Sequence, residues 1–254
     1  MAHMTALDDA AWQGPWRRVR VGEKVVLSVA LLTTALVAPP WPGCALVAMA
    51  CLVLICGPAH VPPRTLRLAM AAPLPFLVIG GVTVAVVLGG TPTATALFTW
   101  GPLWADPATV TKGITVFSRG VAGTLSIMLL ATTTPMVDLL TWLRHLRVPA
   151  ALVEIASLTY RLLFVLLSSA LAIRAAQTAR LGRPTLATAA TAMGALLVRS
   201  WTRASRLQAG LEGRGYVDDL TTLAVARRAS PTFMATTALV LAGIWLAVVA
   251  VSVL

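Results

Sequence analysis

The last stretch of the chain, Phe233 to Leu254, holds no charged residue. Its length and apolarity match the ~20 residues an α-helix needs to cross about 30 Å of hydrocarbon. Leu68 to Thr111 likewise lacks any Lys or Arg, whereas twelve arginines crowd positions 144 to 228. Hydrocarbon offers no water to backbone N–H and C=O groups, so runs of this kind must close their own hydrogen bonds as helices. Composition agrees: 58% of residues are hydrophobic and 11% charged, and mean hydropathy is +0.84. A typical soluble domain carries about 25% charged residues. The expected fold class is an all-α integral membrane protein, with about five transmembrane helices and a cytoplasmic layer of long helices.

The net charge of +11 would raise the question of nucleic acid in a soluble chain. Here the placement of the charge reads as topology, because Lys and Arg gather in cytoplasmic loops and are scarce in external ones. No nucleic acid is expected as a partner; the bilayer is. The first twenty residues are polar and basic, and the first apolar run starts after Lys24. That run reads as a retained span rather than a cleaved leader, with the N-terminus cytoplasmic, in a multi-pass protein of a bacterial plasma membrane. Cys44, Cys51 and Cys56 share one apolar run and read as small core hydrophobes, not a disulfide framework.

Along the chain, Val25–Ala38 and Gly43–Cys56 are two short apolar runs around Pro39-Pro40-Trp41-Pro42, which predicts a hairpin of short spans. Leu68–Gly90 is a third span, with Pro73 and Pro75 as expected kinks. Thr91–Pro107, with Trp100 and Trp104 and no basic residue, reads as an external loop. A fourth span is expected over roughly Gly113–Thr134, then a short amphipathic helix from Met136 to Arg147 between Pro135 and Pro149. Beyond it, arginines interrupt the apolar pattern at helical intervals. This predicts long helices on or near the inner face, split into two arms at Pro184. Within that region only Ala150–Ile173, with Glu154 and Arg161 inside it, approaches a span. The expected organisation is therefore 1–134 transmembrane, 135–230 a cytoplasmic region of long helices, and 231–254 a last transmembrane helix.

No G-x-x-x-x-G-K-[ST] phosphate loop occurs, so the chain is not expected to bind ATP itself. The histidines, His3, His60 and His145, are scattered, and no His/Cys/carboxylate cluster has metal-ligand spacing. The acidic pairs Asp8-Asp9 and Asp218-Asp219 are adjacent in sequence and face different ways on a helix. No catalytic residue, metal ligand or bound cofactor is assigned.

Two arginine-bearing segments remain. In the first, Arg174, Gln177 and Arg180 recur every third residue and precede Gly182 and Pro184, a helix stop. In the second, Arg199, Arg203, Arg206 and Arg214 fall on one stripe, running past Gln208 and Glu212 to Gly213 and Gly215. A guanidinium at such an end can pair bidentately with carboxylates in a partner's groove. Arginines ending cytoplasmic helices also suit lipid headgroups or water.

The run from Thr132 through Pro135 and Asp138, then Leu143 to Pro149, Tyr160-Arg161 and Ala176 to Arg180, resembles the T components of energy-coupling-factor (ECF) importers. It is most similar to the cobalt-type CbiQ/EcfT branch. Leu211 to Tyr216 resembles the second signature of that family, and Gly22-Glu23-Lys24 also suits the cobalt branch. The resemblance implies a non-catalytic scaffold with two coupling helices docked on two cytoplasmic ATP-binding subunits, which use ATP and Mg. It also implies a membrane S component, CbiM-like in the cobalt branch, which selects the cargo. The coupling residues it implies are Arg180 with Ala179 and Leu181, and Arg214 with Gly213 and Gly215. Arg174, Gln177, Arg206 and Glu212 support them. Leu181 stands where the first signature usually has glycine, and Gly213 where the second has alanine.

Two other readings compete. A stand-alone permease or interaction scaffold would place polar groups near the membrane midplane, where only Arg119 is available. A membrane transferase would need a carboxylate or metal constellation, which the acids do not supply. Arg119 would either have a partner within the fourth span or reach toward its end. Glu154 and Arg161 are expected to orient the long helix through ion pairs.

Overall fold

In the computed structural model, residues 10–88, 98–100, 103–180, 185–215 and 230–253 are described. The chain forms two compact units, one of Met1–Leu139 with Ala226–Leu254 and one of Leu140–Val225. Both ends of the sequence therefore belong to the same unit.

The first unit contains α1 (Val21–Val37), α2 (Ala45–Cys56), α3 (Pro63–Met70), α4 (Pro73–Ala85), α5 (Pro107–Thr133) and α9 (Pro231–Val253). Its core is built from one residue per turn. Leu27, Leu31 and Ala35 come from α1, Val47, Cys51 and Ile55 from α2, Ala122, Leu125 and Leu129 from α5, and Ile244 and Val248 from α9. Residues four apart stack on one helix face, and the medium and small side chains used here let these helices pack closely. Helix α5 is central, packing on α1, α2 and α4.

Glycine sets the closest approach. A Cβ on Gly113 would lie 2.6 Å from the Gly81 carbonyl oxygen and 2.7 Å from Ala85 Cβ, so α4 and α5 cross backbone to backbone there. Asp106 precedes α5, and its N–H donates to Thr109 Oγ1 at 3.0 Å. That hydroxyl donates in turn to the Ala85 carbonyl at 2.9 Å, fastening the start of α5 to the end of α4.

Helices α5, α7 and α9 are each long and apolar enough to cross a membrane. The pair α3 and α4 joins them if counted as one span bent by 45°, and the bend falls just before Pro73, where the sequence predicts a kink. Helix α1 has 17 residues and α2 has 12, both short, as the two short apolar runs imply.

Several boundaries differ from those expected. Helix α1 begins at Val21, which brings Glu23 and Lys24 inside it rather than ahead of it. Helix α5 begins at Pro107 rather than near Gly113, because Asp106-Pro107 supplies a cap and a first-turn proline. The end of the expected third span forms β1 (Val87–Leu88), and the expected external loop contributes β2 (Phe98–Trp100) and β3 (Leu103–Ala105), paired antiparallel in the order β1-β3-β2. The rest of that loop lies outside the described residues.

The second unit is two long helices, α7 (Ala150–Ala179) and α8 (Leu186–Glu212), which pack on one another. The chain reaches it through α6 (Met136–Leu143) and a single tight turn, Arg144–Leu146, that ends at Arg147 in left-handed backbone (φ 62). Helix α7 is apolar enough to cross a membrane by its length and composition. This is the stretch that the sequence singled out as approaching a span, and the uncharged run from Leu162 to Ile173 supplies most of its apolarity.

Candidate functional site

Both signature arginines occupy the same local setting. Helix α7 closes at Ala179, and Arg180 is its cap, with its N–H donating to the Ala176 carbonyl at 3.1 Å. Helix α8 closes at Glu212, with Gly213 as its cap, and the Arg214 N–H donates to the Leu211 carbonyl at 3.1 Å. Each guanidinium therefore leaves the chain in the turn that ends a long helix. Both arginines are exposed, and neither side chain has a hydrogen bond or ion pair among the described residues. Gly215 follows Arg214 with φ +72, a left-handed conformation that a side chain disfavours. The glycine after the second arginine is thus required by the backbone. A Cβ on Gly213 would meet the Ala209 carbonyl oxygen at 3.3 Å, a tight contact that suits glycine there.

The supporting residues divide. Gln177, half-buried, donates from Nε2 to the Thr188 carbonyl at 3.2 Å, tying the last turns of α7 to the first turn of α8. Thr185 caps that turn: the Thr188 N–H donates to Thr185 Oγ1 at 3.2 Å, and the Thr185 N–H donates to Thr188 Oγ1 at 2.9 Å. Arg174 and Arg206 are exposed. Glu212 accepts from Gln208 Nε2 at 2.9 Å along its own helix. Leu181, Pro184 and Tyr216 lie outside the described residues.

Arg199, Arg203 and Arg206 form the expected exposed stripe on α8. Leu186, Met193, Leu197 and Trp201, also exposed, follow a second stripe on a different side of the helix, given 3.6 residues per turn. Helix α8 therefore presents a basic surface and an apolar surface.

Glu154 is buried but Arg161 is exposed and has no side-chain partner among the described residues. The ion pair expected to orient the long helix does not form between these two, which are seven residues apart in sequence. Arg119, midway along α5, donates from a terminal guanidinium nitrogen to the Ala38 carbonyl at 3.5 Å, while its Nε is buried without a partner among the described residues. Of the two readings, a partner within the bundle is the one observed.

One charged pair escapes sequence reasoning as a site. Lys24, 1% exposed, donates from Nζ to the Thr133 carbonyl at 2.8 Å. Glu23, 6% exposed, accepts from the Ser230 N–H at 2.8 Å. Their place just ahead of an apolar run resembles an ordinary cytoplasmic flank, and only the earlier start of α1 puts them in the interior. Among the described residues, no group of three or more His, Cys, Asp and Glu side chains has an arrangement that holds a metal ion.

A family model described as CbiQ, "Cobalt transport protein", matches residues 13–223. The "Cobalt transport protein CbiQ" of Rhodobacter capsulatus is 37% identical over 90% of this chain and 91% of its own length. The protein of the same name from Salmonella typhimurium is 32% identical over 70% of this chain and 80% of its own. A Methanocorpusculum labreanum protein, named as a fused cobalt transport protein CbiMQ, is 27% identical over 83% of this chain and 36% of its own length.

Proposed function

The chain belongs to the CbiQ family of cobalt transport proteins, and from that membership we propose that it is the T component of an ECF-type importer. In this role it couples ATP hydrolysis by two cytoplasmic ATP-binding subunits to reorientation of a membrane S component. The chain is a non-catalytic subunit of the plasma membrane with its N-terminus inside, and ATP and Mg are used by its partners. Cobalt as cargo rests on the names of the relatives. A CbiM-like neighbour is supported by the relative named as a CbiMQ fusion.

The observation that carries this reading is the repeated setting of Arg180 and Arg214. Two helices that pack on one another each end in an exposed arginine without a side-chain partner among the described residues. Nothing within the described fold accounts for either guanidinium, whereas a carboxylate-lined groove on each ATPase would. The helices give two rigid levers, and the Gln177 bond joins one end of each. When ATP draws the ATPases together, their grooves carry the two arginines to new relative positions. Transmission requires contacts that differ in free energy between two states. A charge-assisted hydrogen bond contributes about 1.5–3 kcal/mol, enough to bias such a pair of states about 10–150-fold. The apolar stripe of α8 suits a second hydrophobic partner, the role assigned here to the S component.

The test is the double variant Arg180→Glu, Arg214→Glu, assayed for ATP-dependent cobalt uptake in vesicles beside binding of the ATPases. The expected result is a correctly inserted chain that neither retains ATPases nor supports uptake. Normal ATP-dependent uptake by the double variant would refute the coupling role.

A further inference from the structure

The chain passes between its two units twice, and two adjacent charges in α1 hold the first unit at both crossings. The outgoing crossing follows α5: Thr133 is its last residue, and the unit boundary falls after Leu139. The return crossing brings the chain back at Ala226, with α9 starting at Pro231. Lys24 Nζ grips the Thr133 carbonyl, and Glu23 Oε1 receives the N–H of Ser230, the residue before α9. Each charge has the sign that its helix end favours, an ammonium at a C-terminus and a carboxylate at an N-terminus. Trp16 adds an edge-to-face contact to Phe233 in the first turn of α9, with centroids 5.1 Å apart.

Stability alone is a weak reason to bury these charges, since apolar replacements of a buried ionic group are often neutral or stabilising. The surroundings are also incompletely paired. Among the described residues, Glu23 Oε2, Ser28 Oγ and Thr134 Oγ1 are buried without a hydrogen-bond partner. Native interiors pair nearly all such atoms, and exceptions call for a physical reason. Oε2 belongs to the carboxylate that holds Ser230, Ser28 lies one helical turn after Lys24 and Thr134 follows Thr133, so these atoms sit on the residues at and next to the two held bonds.

We propose that Glu23 and Lys24 are positioning residues of a double latch. It passes displacement of the α7–α8 unit into α5 and α9, so that the movement is not absorbed at the two joints. The inference rests on the coupling role proposed above. The bonds described for Glu23 and Lys24 run to the two helix ends and not to Arg180 or Arg214.

The experiment uses the full complex, reconstituted in proteoliposomes with its ATPases and membrane partner, with Co2+ as cargo. It reads cobalt imported per ATP hydrolysed. Lys24→Met and Glu23→Ala should assemble and hydrolyse ATP within about twofold of the unmodified complex, while uptake per ATP falls about tenfold. Glu23→Gln keeps an oxygen that accepts from Ser230 and should retain at least about half of the ratio. Parallel loss of uptake and hydrolysis with recovered complex would mean a purely structural role. Equal loss in Glu23→Gln and Glu23→Ala, or an unchanged ratio in both Ala and Met variants, would overturn the latch. If Lys24→Met does not assemble, the comparison of Glu23→Gln with Glu23→Ala decides. Failure of the latch is separable from failure of the coupling role. In the first case the unmodified complex still needs Arg180 and Arg214 for uptake; in the second it does not.

Discussion

The crossing of α4 and α5 gives a prediction whose size can be worked from contact distances. In Gly113→Ala the new methyl would stand 2.6 Å from the Gly81 oxygen and 2.7 Å from Ala85 Cβ. An ordinary C···O contact begins near ~3.3 Å, so the two backbones must separate by about 0.7 Å, the shortfall against that contact. The obstructing atoms belong to backbone and a Cβ, which no rotamer change relieves. Overpacking of this kind costs about 1–3 kcal/mol, and the better helix propensity of alanine returns up to ~1 kcal/mol. A net loss of up to about 2 kcal/mol remains, which at roughly 2–4 °C per kcal/mol for a chain of this size lowers Tm by up to about 8 °C. Gly80 provides the control, because a Cβ there meets nothing within 4 Å. Gly80→Ala should leave Tm unchanged or raise it by a few degrees. The assay is thermal unfolding of both variants purified in the same mild detergent. A Gly113→Ala protein that melts at or above Gly80→Ala would refute the close-crossing argument.

Three further outcomes follow from the second unit. Arg180→Ala and Arg214→Ala remove side chains without partners among the described residues, so each should change stability by less than ~0.5 kcal/mol. Each should nevertheless weaken ATPase binding in a titration on nanodiscs by about 10–150-fold. Gln177→Ala deletes the bond to Thr188 and should cost about 0.5–1.5 kcal/mol; the check is faster amide hydrogen exchange over the first turn of α8. Gly215→Ala forces a side chain into φ +72 at about 1–2 kcal/mol. It should disturb the turn bearing Arg214 and reduce ATPase binding while leaving the melting of the first unit unchanged.

What the sequence reveals depends on whether a residue type stands out from its background. The helix ends at Arg180 and Arg214 are legible because a basic residue closes a helical pattern next to a breaker, Gly182 and Pro184 after the first and Gly213 and Gly215 around the second. The break before Pro73 is legible for the same reason, proline being incompatible with a helix interior. By contrast, α1 and α2 are apolar on most sides, and periodicity alone does not say that Leu27, Leu31 and Ala35 share a core with Val47, Cys51 and Ile55. Glu23 and Lys24 are hidden by position, since a charge next to an apolar run reads as a flank until the helix start is known. Arg161 misleads, because a charge inside an apolar helix says nothing of where its side chain points, and here it is exposed. The short strands around Trp104 are missed because three-residue apolar segments do not distinguish a loop from a small sheet.

The central claim is that this chain binds ATPases through its two arginine-bearing helix ends. Its most direct test is affinity purification from native membranes in mild detergent, with bound proteins identified by mass spectrometry, for the unmodified chain and for Arg180→Glu, Arg214→Glu. The account predicts two ATP-binding subunits and a small membrane protein with the unmodified chain, and loss of the ATP-binding subunits alone from the double variant. Recovery of intact, folded chain with no ATP-binding subunit would contradict it and leave a carrier that works without ATPases.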